Sequence, residues 1–214
     1  MSVFIEKHAV SYYPAPKCAC TSLKLLAFQV ENEFVFRHFA INGVMKYIHD
    51  FYVTELFTVT KTMDRPANFR FTVVRDPIDR LLSAYSNRVL HHNELSEARL
   101  RYGGADASLV PRPDIGVFIA NLETYRAADG SIQHHTDPLT CFLGEDPGYF
   151  NRIYAMNELD ELIKWLENRT GQTLVLPHEQ KGAHRFSRAD LSSAQIDRLQ
   201  EFYAKDYQLY GKFF

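Results

Sequence analysis

Residues 9–13 (Ala-Val-Ser-Tyr-Tyr) form a short, mostly apolar run broken by Pro14, Ala15 and Pro16, which predicts a buried strand. From Cys20 or Thr21 to about Val30, apolar side chains fall on nearly every side of a helix (Leu23, Leu25, Leu26, Phe28, Val30). A helix with that pattern is a buried one. Residues 34–60 are rich in β-forming types, with 52–60 the strongest strand reading, and 68–74 (Asn-Phe-Arg-Phe-Thr-Val-Val) read as a clear strand. Asp76 then suits an N-cap and Pro77 the first helical position. Ile78, Leu81, Leu82, Tyr85 and Val89 follow at spacings that make one apolar helix face.

Residues 91–112 are polar, with Gly103-Gly104 and Pro111, followed by Pro113, and read as a mobile loop or lid. A helix is expected over about 114–127, ending near Gly130, and a short strand over 152–156. Asn157-Glu158-Leu159-Asp160 opens a helix with the stripe Leu159, Leu162, Ile163 and Leu166, stopped by Gly171. Ser192 or Ser193 caps the last helix, which carries Ile196, Leu199 and Tyr203. Strand, tight turn and helix thus occur twice, which predicts an α/β fold with a parallel sheet. In such sheets ligands bind beyond the carboxyl ends of the strands, so both turns warrant a chemical reading.

The 214 residues fit a single domain spanning 1–214. Lys plus Arg number 24 and Asp plus Glu 26, a net charge of −2, which argues against a general nucleic-acid or anionic-membrane binder but leaves room for a small, concentrated basic site. Three cysteines, Cys18, Cys20 and Cys141, make no disulfide framework and suit a reduced compartment. No run approaches the length of a membrane span, and residues 1–7 lack a signal-peptide pattern, so a soluble cytoplasmic protein is expected.

Pro16-Lys17-Cys18-Ala19-Cys20-Thr21-Ser22 joins the first strand to a helix N-terminus, where free backbone N–H groups and the helix dipole attract an anion. Lys17 adds a charge, Thr21 and Ser22 add hydroxyl donors, and small Ala19 lets a ligand approach the backbone. The turn is like a phosphate-binding loop without being Walker A, because its Lys precedes the loop and it holds no Gly. A plain Thr N-cap beside an exposed Lys is the structural alternative. A zinc site at Cys18 and Cys20 lacks enough further ligands, so no metal is expected.

At the second turn Arg75 ends a strand and Ser83 follows eight residues later, off the apolar helix face. An Arg there can fork onto a phosphate, with Ser83 as a second donor. Alternatively, Arg75 pairs with Asp76 or Asp79 and Ser83 is a surface residue. Two anion sites at two strand–helix turns suit a ligand with two separated phosphate groups.

Together, Pro16-Lys17-x-x-x-Thr21-Ser22 and Arg75-Asp76-Pro77-x-x-Arg80-Leu81-x-Ser83-x-Tyr85 resemble the paired signature of the sulfotransferases, in particular the carbohydrate (family 2) branch. His135-Thr136-Asp137-Pro138 with Cys141 is similar to a segment of many carbohydrate sulfotransferases. The resemblance runs from about residue 10 to 210. It implies a three-layer α/β fold of phosphate-loop-like, nucleotide-binding type, with a central, mainly parallel sheet flanked by helices. It also implies the donor 3′-phosphoadenosine 5′-phosphosulfate (PAPS), leaving as PAP. Lys17, Thr21, Ser22 and the backbone of Cys18, Ala19 and Cys20 are then expected at the 5′-phosphosulfate, and Arg75 and Ser83 at the 3′-phosphate. Gln180-Lys181-Gly182-Ala183-His184-Arg185 resembles the loop that closes over the nucleotide, which brings in Arg185. Cys18 and Cys20 depart from relatives that often carry Gly, Ser or Thr beside the residue equivalent to Ala19.

The expected reaction is sulfuryl transfer to a hydroxyl of a carbohydrate or glycolipid acceptor, with Lys17 neutralising the leaving group. The acceptor needs a general base. His49, in the apolar stretch Tyr47-Ile48-His49-Asp50-Phe51, is the first candidate, and His135 the second. A binding module without catalysis and a phosphate-loop kinase are the competing readings. The kinase lacks Gly-Lys-Ser/Thr in its loop.

Overall fold

The computed structural model describes residues 2–102, 109–177 and 186–214. In chain order its elements are β1 (Val3–Ile5), β2 (Val10–Tyr13), α1 (Cys20–Asn32), β3 (Phe39–Ile41), β4 (Val44–Lys46), α2 (Ile48–Phe51), α3 (Phe57–Lys61), β5 (Phe69–Val74) and α4 (Pro77–Ala84). After them come α5 (Glu97–Tyr102), α6 (Ile115–Ala120), α7 (Leu122–Ala128), α8 (Gly130–Thr136) and α9 (Leu139–Leu143). The chain closes with β6 (Arg152–Ala155), α10 (Leu159–Thr170), α11 (Ser193–Phe202) and α12 (Ala204–Tyr210). Two compact units result: one holds Met1–Arg75, Leu139–Gln180 and Leu209–Phe214, the other Asp76–Pro138 and Lys181–Gln208.

The first unit is built on a sheet of order β1-β2-β5-β6. β1 runs antiparallel to β2, while the β2–β5 and β5–β6 pairs are parallel. Side chains alternate between two buried faces, as a covered parallel sheet requires. Tyr12, Phe71, Val73 and Tyr154 face Leu23 and Leu26 of α1 and Leu162 and Leu166 of α10. Tyr13, Val74 and Ile153 face Leu139 and Phe142 of α9, together with Tyr210. The mainly parallel sheet between helical layers is the architecture expected from the repeated strand–turn–helix pattern.

The second unit is helical and closes on Leu81, Tyr85, Phe118, Tyr125, Leu199 and Tyr203. The Asp76 side chain caps α4 by accepting the N–H groups of Ile78 and Asp79, with Pro77 at the first position. Beyond Ala84 the helix widens into a π turn over Tyr85–His91. Arg80, wholly buried, donates to the Asp137 carbonyl.

Three local expectations are corrected. The strand expected over 52–60 is replaced by coil and by α3. Packing overrides the β preference of Val59 and the threonines: Phe57 lies edge-on to Tyr149 with ring centroids 5.1 Å apart. Thr60 turns its hydroxyl back to the Leu56 carbonyl at 2.9 Å, which satisfies it inside a helix. The single helix expected over 114–127 is divided at Asn121, whose side chain caps back onto the Val117 carbonyl. Gly130 opens α8 rather than ending a helix, because Asp129 accepts the N–H groups of Ser131 and Ile132. Within 91–112, Glu97–Tyr102 form α5, and 103–108 lie outside the described residues.

Candidate functional site

β2 delivers the chain into the first turn at the carboxyl end of the sheet. Lys17 and Ala19 both take left-handed backbone angles there, φ 65° and 55°. For residues with a Cβ this costs roughly 1–3 kcal/mol each, and such strain concentrates at ligand-binding turns. The Cys18 side chain is buried with Tyr13, Ala15, Val74 and Leu139, so the thiol anchors the loop from beneath. No side chain caps the start of α1, and its first turn holds no acid. Its leading N–H groups and dipole are therefore offered to an anion. Ser22 is buried and Thr21 half-buried.

Histidine 49 reaches this turn from α2. That short helix is held by Ile48, buried against Leu25 and Phe36, and by the Tyr47 N–H donating to Asp50 Oδ2 at 2.7 Å. His49 Nε2 then lies 2.9 Å from Thr21 Oγ1. Two residues 28 apart in sequence, both singled out from sequence, thus meet.

The residue that sequence reading missed is Lys24. It lies three positions after Thr21 on the same helical face and is completely buried. Its Nζ is 3.1 Å from His49 Nδ1 and 2.6 Å from Thr54 Oγ1. Desolvation lowers its pKa to about 8, opposed by the charge of Cys20. The signal was available as a lone Lys in an otherwise apolar helical run. An ammonium has no lone pair, so while Lys24 is charged it donates a hydrogen bond to His49 Nδ1, and Nε2–H donates to Thr21. When Lys24 is neutral, Nδ1–H can donate to the amine and Nε2 becomes an acceptor.

At the second turn, Arg75 is half-buried at the end of β5 and has no ion pair among the described residues. The structural alternative, pairing with Asp76 or Asp79, is not what forms. Arg188 pairs with Asp76 and stands 3.8 Å from Asp79. Tyr207 OH also donates to Asp76, at 3.1 Å. Ser83 is half-buried on α4 in the second unit. Arg185 lies outside the described residues.

His135 has both ring nitrogens engaged, Nδ1 with the Ser131 carbonyl and Nε2 with Arg88, each at 2.8 Å. It ties α8 to the π turn. None of the three cysteines forms a disulfide, and no described helix is long and apolar enough to cross a membrane.

A strained strand–helix loop with an uncapped helix start thus lies at the carboxyl edge of a mainly parallel sheet in an α/β protein. The family model described as the Sulfotransferase family matches residues 2–213, and the chain belongs to that family. No curated protein and no solved structure matches it.

Proposed function

We propose that this sulfotransferase moves the sulfuryl group of PAPS onto a hydroxyl of a carbohydrate or glycolipid, with His49 as general base. The observation that carries the reading is the 2.9 Å contact of Thr21 with His49, which joins an anion-binding loop to an ionisable ring. A binding module needs no such ring at its loop.

The residues present fit the donor. Uncapped N–H groups at α1, the left-handed Lys17 and Ala19, the hydroxyls of Thr21 and Ser22, and an acid-free first helical turn suit the 5′-phosphosulfate. Arg75, with no ion pair among the described residues, suits the 3′-phosphate, and the family resemblance adds Ser83 and Arg185. PAPS supplies an activated sulfuryl group whose leaving group is PAP. Lys17 would balance the negative charge that grows on the departing phosphate oxygen. His49 Nε2 would take the acceptor hydroxyl's proton as the new oxygen–sulfur bond forms. Lys24, 3.1 Å from Nδ1, would set which ring nitrogen carries the proton. Loop N–H groups and the Thr21 hydroxyl would supply fixed donors.

Isothermal titration calorimetry with PAP tests the donor assignment. Binding that Lys17→Ala and Arg75→Ala weaken is expected, and no heat with millimolar PAP would sink it.

A further inference from the structure

The hairpin of β3 and β4 pairs only with itself among the described residues. Its register sets Ile41 opposite Val44, Ala40 opposite Met45 and Phe39 opposite Lys46, around the turn Asn42-Gly43. Both turn residues take positive φ, 51° and 78°, as a tight two-residue hairpin turn demands. Alternation puts Phe39, Ile41 and Val44 on one face and Ala40 and Met45 on the other. Both faces are open to solvent: Ile41 is 50%, Val44 58% and Met45 45% exposed.

The base of the hairpin continues this surface. Phe34 is 61% exposed. The Phe36 ring packs against those of Phe28, Phe39 and Phe51 with centroids 5.2, 6.2 and 5.5 Å apart. These rings border a cleft of about 690 Å³ whose one charged lining residue is Arg37. The aromatic base is braced, so the apolar surface is preformed.

The hairpin itself carries only basic charge, and the nearest following acid, Asp50, is tied to the Tyr47 N–H at 2.7 Å. From Phe34 to His49 there is no Asp or Glu, while Arg37, His38 and Lys46 collar the open end of the hairpin. The preceding acid, Glu33, is held by Lys7 at 2.8 Å.

We propose that this hairpin seats the protein on the surface of an anionic lipid bilayer. Immersion in lipid covers both faces at once, and the basic collar behind an uncharged tip complements an acidic headgroup layer. Three strand residues at about 3.4 Å each reach about 10 Å, the depth to which interfacial segments sink. The uncharged Asn-Gly tip enters, while Arg37 and Lys46 stay at the headgroups and meet acidic lipid. This docking is independent of the sulfuryl donor and its site.

The test is co-sedimentation of the full chain with phosphatidylcholine vesicles with and without phosphatidylglycerol. Strong binding to the phosphatidylglycerol vesicles is expected, with weak binding to phosphatidylcholine alone. Arg37→Gln with Lys46→Gln should weaken it about thirtyfold, at roughly 1 kcal/mol per basic residue. Ile41→Asp with Met45→Asp, at two exposed positions not paired with each other, should abolish it while the melting temperature stays unchanged. The proposal is overturned by absence of binding to either vesicle or by full binding of the double aspartate variant. It is equally overturned if the wild type is a dimer in solution that the aspartates dissociate.

Discussion

Lys24 Nζ lies 3.1 Å from His49 Nδ1, so an amine, not a carboxylate, holds the ring whose other nitrogen meets Thr21 of the first turn. This arrangement couples two titrations. Nε2 gains its acceptor form only when the Lys24 proton has left, and burial brings that step down to about pH 8. Turnover is therefore expected to rise with pH through about 8. In Lys24→Met the ring is freed from the ammonium, and the rising limb near pH 8 should be lost. Rate–pH profiles of the two proteins, measured at saturating donor, check this; coincident limbs would refute the coupling.

The same substitution should stabilise the fold. The Lys24 pKa is lower in the folded protein than its ordinary 10.5, so the native state resists the charged amine. Between about 8 and 10.5 the unfolded chain binds more protons, and wild-type stability rises with pH across that window. At pH 7 the cost of the buried charge is present in full. Lys24→Met is thus expected to gain about 1–3 kcal/mol at pH 7, an advantage that fades above pH 8. Denaturant melts at pH 7 and pH 10 measure it, and a less stable variant at pH 7 would contradict the assignment.

The first turn, its Lys17, Thr21 and Ser22, and the Asp76–Pro77 cap were legible in sequence because each is local chemistry within a few residues. The α/β class was legible for the same reason, in the repeated strand–turn–helix order. The burial of Lys24 was not, because it depends on α2 and Thr54 folding over α1 from 25 and 30 residues away. His49 stood out as a lone ring in an apolar stretch, but only the fold supplies Thr21 as its neighbour. Residues 57–61 misled because β-branched side chains record a preference that the Phe57 packing overrules.

Loop strain gives a separate expectation. Ala19 sits at φ 55°, where glycine carries no Cβ penalty. Ala19→Gly should raise stability by up to about 1 kcal/mol and leave PAP affinity within a fewfold. Chemical denaturation with and without PAP reads both quantities; destabilisation would show that the Cβ packs productively.

The two histidine candidates separate cleanly. His135→Ala removes contacts to Ser131 and Arg88 and is expected to lower stability by about 1–3 kcal/mol while turnover per folded molecule persists. Turnover abolished in a well-folded His135→Ala protein would move the base to that ring.

The central claim is tested most directly by transfer of radiolabelled sulfate from PAPS across a panel of glycans and glycolipids, with wild type and His49→Ala side by side. The account predicts a labelled product with the wild type. His49→Ala should lose at least about a hundredfold in rate and still bind PAP as tightly. Wild-type turnover in His49→Ala, or no labelled acceptor with either protein, would contradict it.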